Sequence, residues 1–167
     1  RIGAPSPTTQ SGSLSPTEPF VLRLPEPWSL NKLLRTSYHL RNQRREMLKR
    51  TASREMERLF GADWRRRWRP LRAARVDALI LLRRLRDPFE LPASLKIELD
   101  ALASQHGIRI LEDDGPRNIE RGYVGQSNAG SYKPSVLIRI TPIERVQAAR
   151  SDILADYVTQ LRERNAA

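Results

Sequence analysis

Val76-Asp77-Ala78-Leu79-Ile80-Leu81-Leu82 is a short, almost wholly apolar run bounded by Arg75 and by Arg83-Arg84. At about two helical turns it is too short for a helix buried on every side. It therefore predicts a buried strand, and a buried strand needs a sheet. Phe20-Val21-Leu22-Arg23-Leu24, stopped by Leu24-Pro25-Glu26-Pro27-Trp28, predicts a first strand entering a rigid loop. Asn118 to Val124 and Val136 to Thr141 predict two more, joined as a hairpin by the Gly/Ser/Asn-rich segment Gly125 to Lys133, and Ile108 to Leu111 predicts a short extended piece.

Between these strands lie spans with helical spacing. Leu40 to Phe60 lacks Gly and Pro, and Leu48, Ala52, Met56, Leu59 and Phe60 recur every three or four residues opposite a basic face. Gly61 to Pro70 breaks that pattern. Leu91 to Gln105 carries leucine at 91, 95, 99 and 102, with Pro92 in the first turn and Gly107 just past the end, so a helix is expected there. Ile143 to Arg164 predicts a closing amphipathic helix with Val146, Ile153, Leu154, Tyr157, Val158 and Leu161 as its apolar stripe. Residues 1–18, with three prolines and few bulky side chains, predict a flexible arm ahead of a domain over residues 19–167. The order β, α, β, α, β, β, α and a length of 167 residues predict one α+β domain, a mixed sheet covered by helices.

The absence of cysteine excludes thiolate metal sites, thiol nucleophiles and disulfides, and two histidines are too few for a histidine cage. Any chemistry must run on carboxylates, lysine and bound ions. No apolar run is long enough to span a bilayer, and the chain is expected to be soluble and cytoplasmic, without a membrane partner. Its charge is segregated. Arg35 to Arg86 holds seventeen Lys/Arg against five Asp/Glu, a net of +12, whereas Asp87 to Asp114 holds seven Asp/Glu against Lys96 and Arg109. Such a basic segment fits a polyanion, because neutralising phosphates releases condensed counterions. Arg44, Arg45, Lys49, Arg50, Arg65, Arg66, Arg67 and Arg69 are the expected nucleic-acid contacts. Trp64 and Trp68, set among them, either pack in the core or stack on bases.

Asp87 ends the predicted strand, Asp100 lies two turns into the following helix, and Asp113-Asp114 opens the next loop, so three elements can bring carboxylates to one point. Magnesium is satisfied by one to three carboxylates when a substrate phosphate completes its shell. Lys96, one turn before Asp100, can reach that phosphate as a point charge. The plainer alternatives are a surface Lys96/Asp100 pair, an Asp113-Asp114-Gly115 turn and an Asp87-Pro88 strand stop.

In their order and spacing, Arg86-Asp87-Pro88-Phe89-Glu90-Leu91, Lys96, Asp100-Ala101-Leu102, Gly107, Asp113-Asp114 and Ile119, preceded by Leu24-Pro25-Glu26-Pro27-Trp28-Ser29-Leu30-Asn31-Lys32, resemble the RusA-like Holliday junction resolvases of bacteria and phages. The similarity spans about Pro19 to Thr141. It implies a homodimeric, magnesium-dependent endonuclease that nicks four-way DNA junctions in recombination and repair. It also implies catalytic roles for Asp87, Lys96, Asp100 and Asp113 or Asp114, with Asp87, Asp113 and Asp114 on the metal. Phe89 stands where the family has its second motif aspartate, and Glu90 where it has asparagine, so Glu90 is the candidate for the missing oxygen. Two other readings are a relative that grips junctions without cutting them and a basic RNA- or ribosome-associated protein.

Overall fold

The computed structural model describes residues 13–14 and 16–145. The expected arm falls outside them for residues 1–12 and 15, and the expected closing helix over Ile143 to Arg164 for residues 146–164. Four strands form one mixed sheet: β1 (Phe20–Pro25), β2 (Ala74–Leu82), β3 (Ile119–Asn128) and β4 (Ser135–Pro142), in the spatial order β1-β4-β2-β3. β4 runs antiparallel to both β1 and β2, and β3 runs parallel to β2. The α+β expectation of a single domain with a mixed sheet therefore holds.

The expected hairpin does not. β3 and β4 are not neighbours, because β2 lies between them. The reason is visible in composition: β2 is apolar almost throughout, with Ile80 and Leu82 almost completely buried, and satisfies its backbone best with partners on both edges. β3 carries Glu120, Arg121, Tyr123, Gln126, Ser127 and Asn128, which suit a sheet edge. A register irregularity between Val76 and Ala78 lets the Asp77 carboxylate accept the Tyr123 N–H at 2.7 Å.

One sheet face is covered. Phe20, Leu22 and Leu24 of β1, Val136, Ile138 and Ile140 of β4 and the alternate residues Ala74 to Leu82 of β2 join a core closed by Leu48, Ala52 and Met56 of α2 (Tyr38–Phe60). On the opposite face Val21 is exposed and Leu79, Leu81 and Leu137 are half-buried, so among the described residues the helices cover one side only. α1 (Leu30–Arg35) and α2 are both capped by serine: Ser29 Oγ accepts from Lys32 N–H, and Ser37 Oγ from Leu40 N–H. The expected break at Gly61 to Pro70 contains a further short helix, α3 (Trp64–Arg67).

Trp64 and Trp68 settle as core residues. They are 3% and 8% exposed and pack edge-on with each other; Trp68 also meets Phe20 edge-on and Phe60 at a tilt of 57°. The Trp68 indole N–H donates to the Ile110 carbonyl at 3.3 Å, so neither ring offers a face to a base. Leu14, expected in the flexible arm, is tied to this cluster: its N–H donates to the Arg67 carbonyl at 2.9 Å and its carbonyl accepts from Arg69 N–H. At the other end Ile143 is not helical, and its N–H donates to the Ala73 carbonyl.

The span expected as one helix over Leu91 to Gln105 is two pieces, α4 (Leu91–Ser94) and α5 (Lys96–Leu102), preceded by a 3-10 turn at Pro88–Glu90. α5 stops early because the following chain folds back onto it. Ile108 N–H donates to the Ala101 carbonyl at 2.9 Å, and Ile110 and Leu111 N–H donate to the Leu102 carbonyl. Ile108 to Leu111 is accordingly paired only by isolated bridges, from Leu111 to Leu71 and Ala103. The fold-back requires glycine at 107, where a Cβ would stand 2.3 Å from the Ala101 carbonyl oxygen. Both atoms are backbone-anchored, so Gly107→Ala is expected to destabilise the fold by about 1–3 kcal/mol, read by urea denaturation. An unchanged midpoint would mean that the loop moves aside freely.

Candidate functional site

Acidic residues from two elements meet at Lys96. Its Nζ lies 2.8 Å from Asp100 Oδ1, one turn along α5, and is also hydrogen-bonded to Asp114 Oδ2 from the loop before β3. This is the convergence expected from the sequence, but with fewer members. Asp87 uses Oδ1 to accept Phe89 N–H at 3.0 Å and so caps the 3-10 turn. Asp113 Oδ1 accepts the N–H of Asp114 at 2.9 Å. Glu90 is half-buried on the 3-10 turn, with no hydrogen bond or ion pair from its side chain among the described residues. Nor do any three His, Cys, Asp or Glu side chains there form a group able to hold a metal ion. Of the expected metal set, Asp114 lies at this meeting point with Asp100, while Asp87 and Asp113 each give one oxygen to a nearby N–H. The Asp87 bond is an Asx turn, and the Asp113 bond is to the N–H of the next residue.

The electrostatics of the trio follow from its geometry. Partial burial raises the Asp100 pKa, Lys96 opposes that rise, and the neighbouring Asp114 adds to it. The hydrogen bond from Lys96 holds Asp114 below the usual range against a smaller desolvation effect, with a further hydrogen bond from Asp100. For Lys96 burial acts to lower the pKa, but hydrogen bonds to both carboxylates outweigh it and hold the ammonium above its ordinary value. The two aspartates share one cation unequally.

The turn bearing Asp87 is fixed from behind by Arg86. Its guanidinium donates to Glu26 Oε1 at 2.5 Å and to the Pro27 carbonyl at 2.9 Å, and its backbone pairs in both directions with the Gln126 side chain. The proline-rich loop after β1 thus braces the acidic segment. Phe89 is 93% exposed on the same turn and, with Lys96, lines an apolar groove of about 520 Å³ between α1, α4 and the sheet.

The basic residues divide. Lys49, Arg50, Arg65 and Arg66 line one cleft of about 650 Å³, together with Arg109, which the sequence reading left out of the nucleic-acid contacts. Arg44 is withdrawn from any such surface: its side chain is 8% exposed and its Nη2 lies 3.0 Å from Oε1 of Glu98, itself 1% exposed. Arg45 is half-buried and donates to Asn42 at 2.8 Å, and Arg67 lies 3.4 Å from Asp63. Arg69 is exposed but does not line the cleft. A signal for the Arg44/Glu98 pair was present. Arg44 continues the four-residue spacing of Leu48, Ala52 and Met56, and Glu98 occupies the apolar stripe between Leu95 and Leu102. Among the described residues no helix is long and apolar enough to cross a membrane. No protein-family model matches the chain, and no curated protein is significantly similar to it.

Proposed function

We propose that this protein binds branched DNA and nicks it with a magnesium ion held by Asp100 and Asp114, as the RusA-like resolvases that its motifs resemble would. The observation that carries the reading is the meeting of Lys96, Asp100 and Asp114, fourteen residues apart at the aspartates, on one point at α5, the helix that packs against basic α2. The donor set suits the ion, because magnesium accepts one or two protein carboxylates and takes its remaining oxygens from water and substrate phosphate. Bound there, it supplies Lewis-acid activation of water and neutralises charge developing on the scissile phosphate. The chain's own part is to aim both carboxylates at one point, and to turn the Lys96 ammonium from them onto a phosphate oxygen. Two copies related by a two-fold axis suit a two-fold junction and opposed nicks, as resolution in recombination and repair requires.

A second reading, junction binding without cleavage, is favoured by Phe89. A fully exposed phenyl ring occupies the position of the missing motif aspartate. A synthetic four-way junction incubated with the protein and Mg²⁺ separates the two readings. Nicks confined to the junction, absent without metal, are expected. Binding without nicks at any magnesium concentration would leave only the second reading, and equal affinity for junction, linear duplex and structured RNA would remove both.

A further inference from the structure

The cleft bounded by α2, α3 and the loop after α5 shares no lining residue with the acidic trio. Glu46, Lys49, Arg50 and Ser53 form its first wall, at helical spacings of three and four. Arg65 and Arg66 form the second and Arg109 the third, so five cations face one carboxylate. That carboxylate is already engaged, since Lys49 lies 2.8 Å from Glu46. Arg65 is held in place from two sides, donating to the buried Ser53 hydroxyl at 2.7 Å and lying over the Trp64 ring. Arg50 and Arg109 have no ion-pair partner among the described residues.

Arg109 supplies an independent observation. Its φ is +66°, and it is the only non-glycine residue with positive φ among those described. An arginine gains nothing from the left-handed region that glycine would not gain without strain. Strained positions of this kind gather at binding sites, where the side chain is the reason for the strain. Here the side chain adds the fifth cation to the cleft.

We propose that this cleft is a docking site for the phosphodiester backbone of a DNA strand, holding several phosphates away from the acidic centre. The proposal rests on the DNA-binding reading above and gives it a second contact surface. A single phosphate would leave most of the roughly 650 Å³ and most of the cations unused. A nucleotide would need a stacking surface for its base, and the two tryptophans in the floor are too deeply buried to give one. A polymer of repeating phosphates uses all three walls.

The experiment follows binding of a labelled four-way junction and a labelled linear duplex from about 50 to 200 mM salt by anisotropy. The triple variant Arg50→Gln, Arg66→Gln, Arg109→Gln leaves the anchored Arg65 and the paired Lys49 in place. It is expected to weaken binding at least tenfold and to flatten the slope of log K against log salt by about 2 to 3, near 0.9 for each lost phosphate contact. The control removes the same charge from exposed Arg83, Arg117 and Arg139. A slope in the triple equal to that of the wild type or of the control overturns the cleft, as does failure of the wild type to bind either DNA at the lowest salt. Equal affinity for junction and duplex would sink junction recognition alone, because the slopes still report the cleft. Arg109→Gly guards against misfolding: glycine accepts that backbone, so the melting temperature should hold or rise while the slope falls by about one.

Discussion

Arg44→Ala is expected to lower stability by about 3–5 kcal/mol, the usual consequence of stripping one partner from a buried ion pair. The pair joins α2 to α5, and Arg44 Nη2 also donates to the Glu26 carbonyl at 2.7 Å while the guanidinium lies over the Trp28 ring. One side chain thus ties both helices to the proline-rich loop that braces the acidic segment. Its loss leaves Glu98 charged and enclosed, with Oε2 already lacking a partner among the described residues. Against a typical total of about 5–15 kcal/mol, such a loss is large. Removing both charges tells a different story. Arg44→Met with Glu98→Leu abolishes the desolvation cost along with the attraction, and urea denaturation should find most of the stability restored. If Arg44→Ala alone costs under about 1 kcal/mol, the pair is not the clamp described. Burial pushes the Glu98 carboxyl up, against the pull of Arg44. The folded state therefore holds that proton more tightly than the unfolded chain, and the stability linked to it is present below the ordinary carboxylate range and lost as pH rises through the raised value. Glu98→Gln should remove that decline.

The same pair marks where the sequence could be read and where it could not. Strand positions and the buried face of α2 follow from local periodicity, and Leu48, Ala52 and Met56 are buried as expected. Leu59, on the same spacing, is 37% exposed, whereas its neighbour Phe60 packs on Phe20 of β1 and on Trp68. Strand partnership was not legible. Alternation in β3 and β4 says that each has two faces, but only competition with the more apolar β2 decides who sits beside whom. The break-up of the span from Leu91 to Gln105 is likewise tertiary, set by three N–H groups from beyond Gly107 that claim the last carbonyls of α5. Among the charges, one-turn spacing correctly put Lys96 beside Asp100. The Asp87-Pro88 stop and the Asp113-Asp114-Gly115 turn were legible as the plainer alternatives, and Asp87 and Asp113 each give an oxygen to a nearby N–H. Composition also could not separate Arg44 from the exposed arginines, since a charged residue on an apolar stripe is buried and paired, as Arg44 is with Glu98.

Asp114→Asn and Asp100→Asn are each expected to reduce junction nicking by about a hundredfold or more, as loss of a group that stabilises transition-state charge does, while junction affinity holds or rises because a repelling charge has gone. Affinity and cleavage are therefore read on the same samples, by anisotropy and by denaturing gel. Lys96→Met tests the exchange at the centre of the site. Without the ammonium between them, the two carboxylates should take up Mg²⁺ at lower concentration, yet nick more slowly because no side chain there replaces the contact with phosphate. The pH dependence has a definite sign. Asp100 is held protonated above the usual carboxylate range by burial and by its neighbour Asp114, so the wild-type rate should climb with pH across that raised value and then level off. Asp114, depressed by Lys96, stays ionised throughout that climb, and its contribution to stability is lost only when pH falls through its lowered value. Glu90→Gln places the remaining oxygen. Nicking that survives this change assigns the metal to Asp100 and Asp114, whereas nicking abolished by it returns Glu90 to the site. Full activity in both aspartate variants would mean that the trio is an ion pair and that cleavage, if seen, belongs elsewhere on the protein.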